Sequence, residues 1–179
     1  MPPTRGFHIT LLIACAMLPP TWARAQDAPS LPGGASSLQE TFQEWRVACQ
    51  IVETTKLCAL SQLQAQQNGQ RVLAIELQAG PDESASGNLV LPFGLLLDAG
   101  VTVQIDDNPA LPATRFRTCV PAGCVVPLAL DAPAIGNLRG GATLKIVGKA
   151  SDTSQDVSFT VSLNGFAAAL DRVTALRGG

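Results

Sequence analysis

Two pairs of closely spaced cysteines constrain the fold of this chain more than any other feature of its sequence. Cys119 and Cys124 enclose the sequence Val-Pro-Ala-Gly, and apolar residues follow the second cysteine. Cys49 and Cys58 stand on either side of a polar segment at residues 53–56. Pro, Gly and short polar segments favour turns. Each pair therefore predicts two strands that are joined by a short turn and linked by a disulfide.

These four cysteines can pair in more than one way. We predict Cys49–Cys58 and Cys119–Cys124, because each pair encloses a predicted hairpin. A redox or metal-binding pair is the alternative for Cys119 and Cys124. Redox pairs usually have two intervening residues and open a helix, whereas zinc requires further ligands. We therefore expect both pairs to be structural, and the sequence predicts no metal ion and no cofactor.

The N-terminal segment, residues 1–25, has the pattern of a secretory signal peptide. Arg5 supplies a positive charge, residues 9–18 form an apolar run, and Ala23-Arg24-Ala25 is an A-x-A cleavage sequence. We place cleavage after Ala25. The apolar run is too short to span a bilayer, which requires about 20 apolar residues. We therefore predict an exported protein, periplasmic or secreted, with no stable membrane span.

Loss of this segment would change the chemistry of the chain. His8 is the only histidine, and Arg5 and Arg24 are basic, whereas all 14 acidic residues lie downstream. The cleaved chain is thus more acidic than the full chain, whose net charge is −2. Nucleic acids and anionic lipids are bound by basic surfaces, so we predict neither as a partner. A lipoprotein anchor at Cys15 is the alternative reading of the segment.

Alternation of apolar and polar residues predicts a series of short strands in the rest of the chain. Residues 26–40 are rich in Pro, Gly, Ser and Ala and predict a flexible leader, and residues 41–179 predict one β-domain. Helical spacing predicts a helix at residues 166–176 that closes one end of the domain. Residues 131–138 predict a short helical turn. Strands are predicted at residues 41–50, 57–66, 71–78, 101–105, 114–118, 125–130, 142–148 and 156–163.

This order of short strands and turn sequences favours an all-β fold. Asn68-Gly69 is a strong hairpin signal, and the composition of residues 80–88 predicts a loop. The fold class that we predict is an antiparallel β-sandwich with a short C-terminal helix and two local disulfides. A closed barrel is the alternative.

The chain that would remain after cleavage has no recognisable catalytic arrangement. Without His8 it has no histidine, so a Ser-His-Asp or Cys-His arrangement is excluded. Glu53, Glu76, Asp98 and Asp106 are candidates for a carboxylate pair, but the sequence does not place two of them at a working distance. We therefore predict no catalytic residues and a protein that is not an enzyme.

Two segments carry candidate contact residues for a partner. The most hydrophobic stretch contains Leu91, Pro92 and Phe93, which either cross between sheets inside the domain or form an apolar surface for a partner. Arg115 and Arg117 alternate along a predicted strand and would share one face. There they could bind a carboxylate, or they could simply face solvent.

Several motifs carry a resemblance to a known family by their order and spacing. They are WRVAC at 45–49, LCALSQ at 57–62, LPFGLLL at 91–97 with GV at 100–101, CVPAGC at 119–124 and FTVSLNGFAAAL at 159–170. Together they resemble the invasion-associated locus B family of exported bacterial proteins. The resemblance implies an immunoglobulin-like β-sandwich, an envelope or secreted location and, for some members, a role in invading host cells. The four cysteines match the family pattern, and the resemblance supplies no catalytic residues.

Two functions follow as hypotheses. The first is a non-catalytic interaction module that binds a protein partner in the envelope or on a host cell. The alternative is a periplasmic small-molecule-binding or hydrolytic protein. That alternative requires a concave pocket in which polar groups converge.

Overall fold

The computed structural model describes residues 30–178, which form two antiparallel sheets and two helices. The predicted signal peptide, with Cys15, lies outside the described residues. α1 is Ala132–Gly140 and α2 is Phe166–Gly178. The strands are β1 (Ser37–Phe42), β2 (Trp45–Val52), β3 (Thr55–Ala65), β4 (Arg71–Ala79), β5 (Ala85–Leu91), β6 (Thr102–Ile105), β7 (Thr118–Val120), β8 (Gly123–Leu130), β9 (Thr143–Lys149) and β10 (Asp156–Ser162).

The larger sheet has seven strands in the order β1-β2-β3-β4-β5-β8-β7, and the smaller has three in the order β10-β9-β6. Consecutive strands are neighbours from β1 to β5, because short hairpin connections keep sequential strands adjacent. All the paired strands run antiparallel. The predicted antiparallel β-sandwich is therefore confirmed, and the fold is not the closed barrel.

Alternate side chains of the larger sheet face one core, as the pleat of a strand requires. On β2, Trp45, Val47 and Cys49 are buried, whereas Arg46 and Ala48 between them are exposed. The outward side chains therefore cover the opposite face of the sheet. The smaller sheet contributes to the same core through Val103, Ile105, Leu144, Ile146 and Val161.

The two helices cover part of this core. α2 packs against β1–β4 and against α1, and α1 also packs against β8. Phe166 at the start of α2 lies edge-on to Trp45, with ring centroids 5.1 Å apart. We expected α2 to close one end of the domain, but it lies along the larger sheet because its whole apolar stripe is buried there. The buried members of the stripe are Phe166, Ala169, Leu170, Val173 and Leu176.

The ordered domain begins earlier than the sequence predicted. Residues 37–40, assigned to the flexible leader, belong to β1, which pairs with β2 in the register Gln39↔Ala48. Leu31 is only 2% exposed and is part of the core. The physical reason is that an edge strand needs only one hydrogen-bonded neighbour and a few inward side chains. A composition dominated by Pro, Gly, Ser and Ala does not reveal either of these.

Two other predicted boundaries change. β5 begins at Ala85, inside the predicted loop at residues 80–88, because Gly87 and Asn88 pair with β4. The predicted strand at residues 114–118 reduces to one bridge between Thr114 and Val101 and to the start of β7 at Thr118. The short helical turn predicted near residue 131 is the helix α1. Its N-terminus is capped by Asp131, which accepts a hydrogen bond from Ala134 N at 2.9 Å.

Candidate interaction surfaces

Both predicted disulfides form, and each links residues that lie directly opposite each other on neighbouring strands. Cys49 of β2 is bonded to Cys58 of β3, and Cys119 of β7 is bonded to Cys124 of β8. Gly123 precedes the second cysteine because a Cβ at this position would collide with the Leu91 carbonyl oxygen. The disulfides therefore fix two hairpins at different places in the same sheet.

The end of β5 carries the first set of predicted contact residues. Leu91 pairs with Cys124 and is 1% exposed, so the structure removes it from the candidates for a partner contact. Phe93, two residues further on, is 61% exposed. Because Leu91 pairs with Cys124, Pro92 and Phe93 lie at the same end of the sheet as the β7–β8 turn. Val120 in this turn region is 41% exposed. We call Pro92, Phe93 and Val120 the hairpin end.

The second predicted set, Arg115 and Arg117, lies just before β7. Both side chains are exposed, and Phe116 between them packs against the core. The sequence predicts a strand here, but the structure shows none at Arg115 and Arg117. Arg117 N nevertheless donates a hydrogen bond to Val125 O at 2.8 Å. Arg117 lines a surface depression with Gln78 and Asn88. The structure does not bring Arg115 into the same depression.

The outward side of the larger sheet is a surface that the sequence prediction missed. We call it the open face and define it by the outward side chains of β2–β5 and β8. Arg46, Ser61, Glu76, Asn88 and Pro127 form one row across these strands. Leu63, Ala74, Val90 and Val125 form the next row. Many of these side chains are small, so the open face contains shallow depressions.

Three of the depressions that residues 30–178 form lie on this side of the sheet. Their volumes are about 560 Å³ beside Arg117, about 450 Å³ beside Arg46 and about 500 Å³ beside Gln50. The depression beside Arg46 is also lined by Arg71, Leu63, Val90 and Val125. Alternation along β2 could have predicted that Arg46 faces outward, because it stands between the apolar residues Trp45 and Val47.

The arginines of residues 30–178 divide into two groups. Arg172 forms a bidentate pair with Glu40, Arg139 pairs with Asp171, and Arg177 donates to the Ala79 carbonyl. Arg46, Arg71, Arg115 and Arg117 make no side-chain hydrogen bond or ion pair within residues 30–178. The paired arginines hold helices to their neighbours, whereas the other four are available to a partner.

Two carboxyl groups have pKa values that are lowered by the fold. Hydrogen bonds from Arg172 hold the pKa of Glu40 below its usual 4.5. Backbone N–H groups of Ala142 and Thr143, together with the Thr143 hydroxyl, lower the pKa of Asp106 below its usual 3.8. Asp106 is thereby committed to holding the turn between α1 and β9. Its role here is structural.

The four carboxylates considered for catalysis lie on separate elements. Glu53 is in the β2–β3 turn, Glu76 is on the open face, Asp98 is in a short 3-10 turn, and Asp106 follows β6. Among residues 30–178, no group of three or more His, Cys, Asp or Glu side chains is arranged to hold a metal ion. No helix of this part of the chain is long and apolar enough to cross a membrane.

Comparison with known proteins places this scaffold in a family. Residues 45–174 match the family described as Invasion associated locus B (IalB) protein. The chain belongs to the invasion-associated locus B family. The resemblance predicted from the motifs is thus confirmed, and the match spans β2 to α2.

Relatives of known name match most of the chain. An Invasion protein B homolog of Brucella abortus (strain 2308) is 46% identical over 83% of this chain and 86% of its own length. Invasion protein B of Bartonella bacilliformis is 37% identical over 83% of this chain and 81% of its own length. The crystal structure of invasion associated protein B from Bartonella henselae has a TM-score of 0.74 and 35% identity, and the match covers 79% of this chain and 97% of that chain.

Proposed function

We propose that this protein is exported and acts as a non-catalytic protein-interaction module in the bacterial envelope or at the surface of a host cell. The observation that carries the proposal is the similarity, over most of the chain, to proteins named Invasion protein B. The two disulfides support export, because such bonds persist mainly in oxidising compartments. Cleavage after Ala25 would release the domain into such a compartment.

The hairpin end supplies the contact residues for this function. Phe93 is a large apolar side chain that is 61% exposed, and the neighbouring disulfide Cys119–Cys124 fixes the adjacent turn. Exposed apolar side chains on a rigid support are typical of residues that anchor a protein partner. The side chains of Arg115 and Arg117 make no hydrogen bond or ion pair within residues 30–178 and would add charged contacts.

Protease digestion of intact cells, compared with cells whose outer membrane has been opened, tests the proposed location. Digestion in intact cells would place the domain at the cell surface, and digestion only after opening would place it in the periplasm. Both results agree with export. A chain that stays protected in both samples and keeps residues 1–25 would contradict the proposal.

A further inference from the structure

One depression of the open face combines positive charge with apolar side chains. Arg46 and Arg71 line it together with Leu63, Val90 and Val125, and we call these five residues the cationic depression. Its volume is about 450 Å³. Leu63 is 60% exposed, although it is a large apolar residue on a sheet. Neither the proposed function nor the predicted contact residues account for this group.

The arginines of the depression outnumber its acidic lining residues. Arg46 and Arg71 make no ion pair or side-chain hydrogen bond within residues 30–178. Glu76 is the acidic residue in the lining, but Ser61 lies between Arg46 and Glu76 in the row across the strands. The full chain carries a net charge of −2, so a local excess of arginine stands out against an acidic background.

We propose that the cationic depression binds an acidic, extended segment of a protein partner. Arginine binds carboxylates through two parallel hydrogen bonds, so Arg46 and Arg71 would each take one acidic side chain. Leu63, Val90 and Val125 would contact apolar side chains that alternate with the acidic ones. The small side chains of Ser61 and Ala74, which also line the depression, let the backbone of that segment come close to the sheet.

The charge of the protein favours an acidic protein segment over an anionic membrane as the partner. Attraction to anionic lipid needs a cluster of several basic residues close to the membrane surface. The cationic depression offers two arginines, and the protein as a whole has more acidic than basic residues. A carboxylate-bearing segment needs only local complementarity, which the depression provides. The inference rests on the proposed interaction function and assigns it a surface.

A titration of the full exported chain with short peptides tests the proposal. The probe is a peptide in which glutamate and leucine alternate, and its matched control has lysine in place of glutamate. Amide chemical shifts would report the site. We expect the acidic peptide to shift residues of β2–β5 around Leu63 and the basic peptide to leave them unchanged. No binding of the acidic peptide, or equal binding of both, would overturn the proposal.

Charge reversal makes the test specific. In Arg46→Glu/Arg71→Glu we expect the affinity for the acidic peptide to fall about tenfold or more. Lys145→Glu is the control for the single variants Arg46→Glu and Arg71→Glu, because Lys145 is an exposed strand residue of the smaller sheet and each of these substitutions changes the net charge by the same amount. Unchanged thermal unfolding would show that the variants fold. An equal loss in Lys145→Glu would mean that only net charge matters, against the proposal.

Two further comparisons separate the possible outcomes. Binding to phosphatidylglycerol vesicles in preference to the acidic peptide, removed by the same double variant, would identify a lipid-headgroup surface and overturn the inference. Binding to whole host cells or envelope fractions tests the proposed function itself. If the double variant binds these as well as the wild type does, the interaction function stands and this surface is not the one used.

Discussion

Gln62 of β3 donates a hydrogen bond from Nε2 to the carbonyl oxygen of Ser162 in β10, at 3.0 Å. The bond connects the larger sheet to the edge of the smaller one. Gln64 makes the same kind of bond to Thr160 O at 2.8 Å, and Trp45 Nε1 also donates to Ser162 O. These side chains occupy carbonyl groups of β10 that have no neighbouring strand. Occupied edge carbonyls are less open to pairing with another chain.

Replacement of Gln62 by leucine should destabilise the junction between the sheets. Gln62 is 5% exposed, and its loss removes the bond to Ser162 O and also the bond from Gln64 Nε2 to Gln62 Oε1. We expect the free energy of unfolding to fall by about 1–2 kcal/mol, measured by urea denaturation. Gln66→Leu, at an exposed position, is the control. Equal stability of the two variants would contradict a role for the Gln62 bonds.

The pair between Glu40 and Arg172 should make stability depend on pH. Because the folded pKa of Glu40 is lowered, the folded state binds the proton less readily than the unfolded state does. The stabilisation is therefore present above the usual pKa of 4.5 and is lost as the pH falls through the folded value. Glu40→Gln should be less stable at neutral pH and should lose less stability on acidification. Glu44→Gln, in the exposed β1–β2 turn, should keep the wild-type profile.

Asp106 should be required for the turn between α1 and β9. Its carboxylate accepts hydrogen bonds from Ala142 N, Thr143 N and the Thr143 hydroxyl. An asparagine would direct an NH₂ group at one of these donors, so Asp106→Asn should lower the melting temperature. Because the folded pKa is lowered, the contribution should also disappear as the pH falls through that value. The control is Asp107→Asn at the neighbouring position. If Asp107→Asn had a melting temperature no higher than that of Asp106→Asn, the result would count against this role.

Removal of the disulfides should have graded effects. Cys49 and Cys58 are separated by nine positions in the sequence, and Cys119 and Cys124 are separated by five. A longer loop loses more entropy when it is closed. We expect Cys49→Ser/Cys58→Ser to cost about 2–3 kcal/mol and Cys119→Ser/Cys124→Ser to cost about 2 kcal/mol. Chemical denaturation of both double variants checks the order. The reverse order would show that strand packing, not loop closure, dominates.

Phe93 should matter for binding more than for folding. Because its side chain is 61% exposed, Phe93→Ser should change the free energy of unfolding by less than about 0.5 kcal/mol. We expect the same variant to reduce attachment to host cells or envelope fractions. Val52→Ser is a matched control, since Val52 is 45% exposed and lies at the opposite end of the sheet. Full attachment by Phe93→Ser would remove the hairpin end from the site.

The sequence pattern could predict the features that depend on residues close together along the chain. Alternation was enough to find β2, β4 and β9, and short spacing was enough to pair Cys119 with Cys124. β1 escaped prediction because its order depends on pairing with β2 and on the contact between Glu40 and Arg172. The cationic depression escaped for the same reason. Arg46 and Arg71 come to line the same depression only after β2, β3 and β4 have assembled, and the sequence alone does not indicate this.

The burial of Trp45 against Phe166 makes the intrinsic fluorescence of Trp45 sensitive to the position of α2. If the chain is cleaved after Ala25, Trp22 is lost, and Trp45 becomes the single indole of a chain that has no tyrosine. Its ring is 1% exposed, and its neighbour belongs to α2. Fluorescence excited in the near ultraviolet would then come from one known position. A red shift of the emission would record the moment at which α2 leaves the sheet, without any added label.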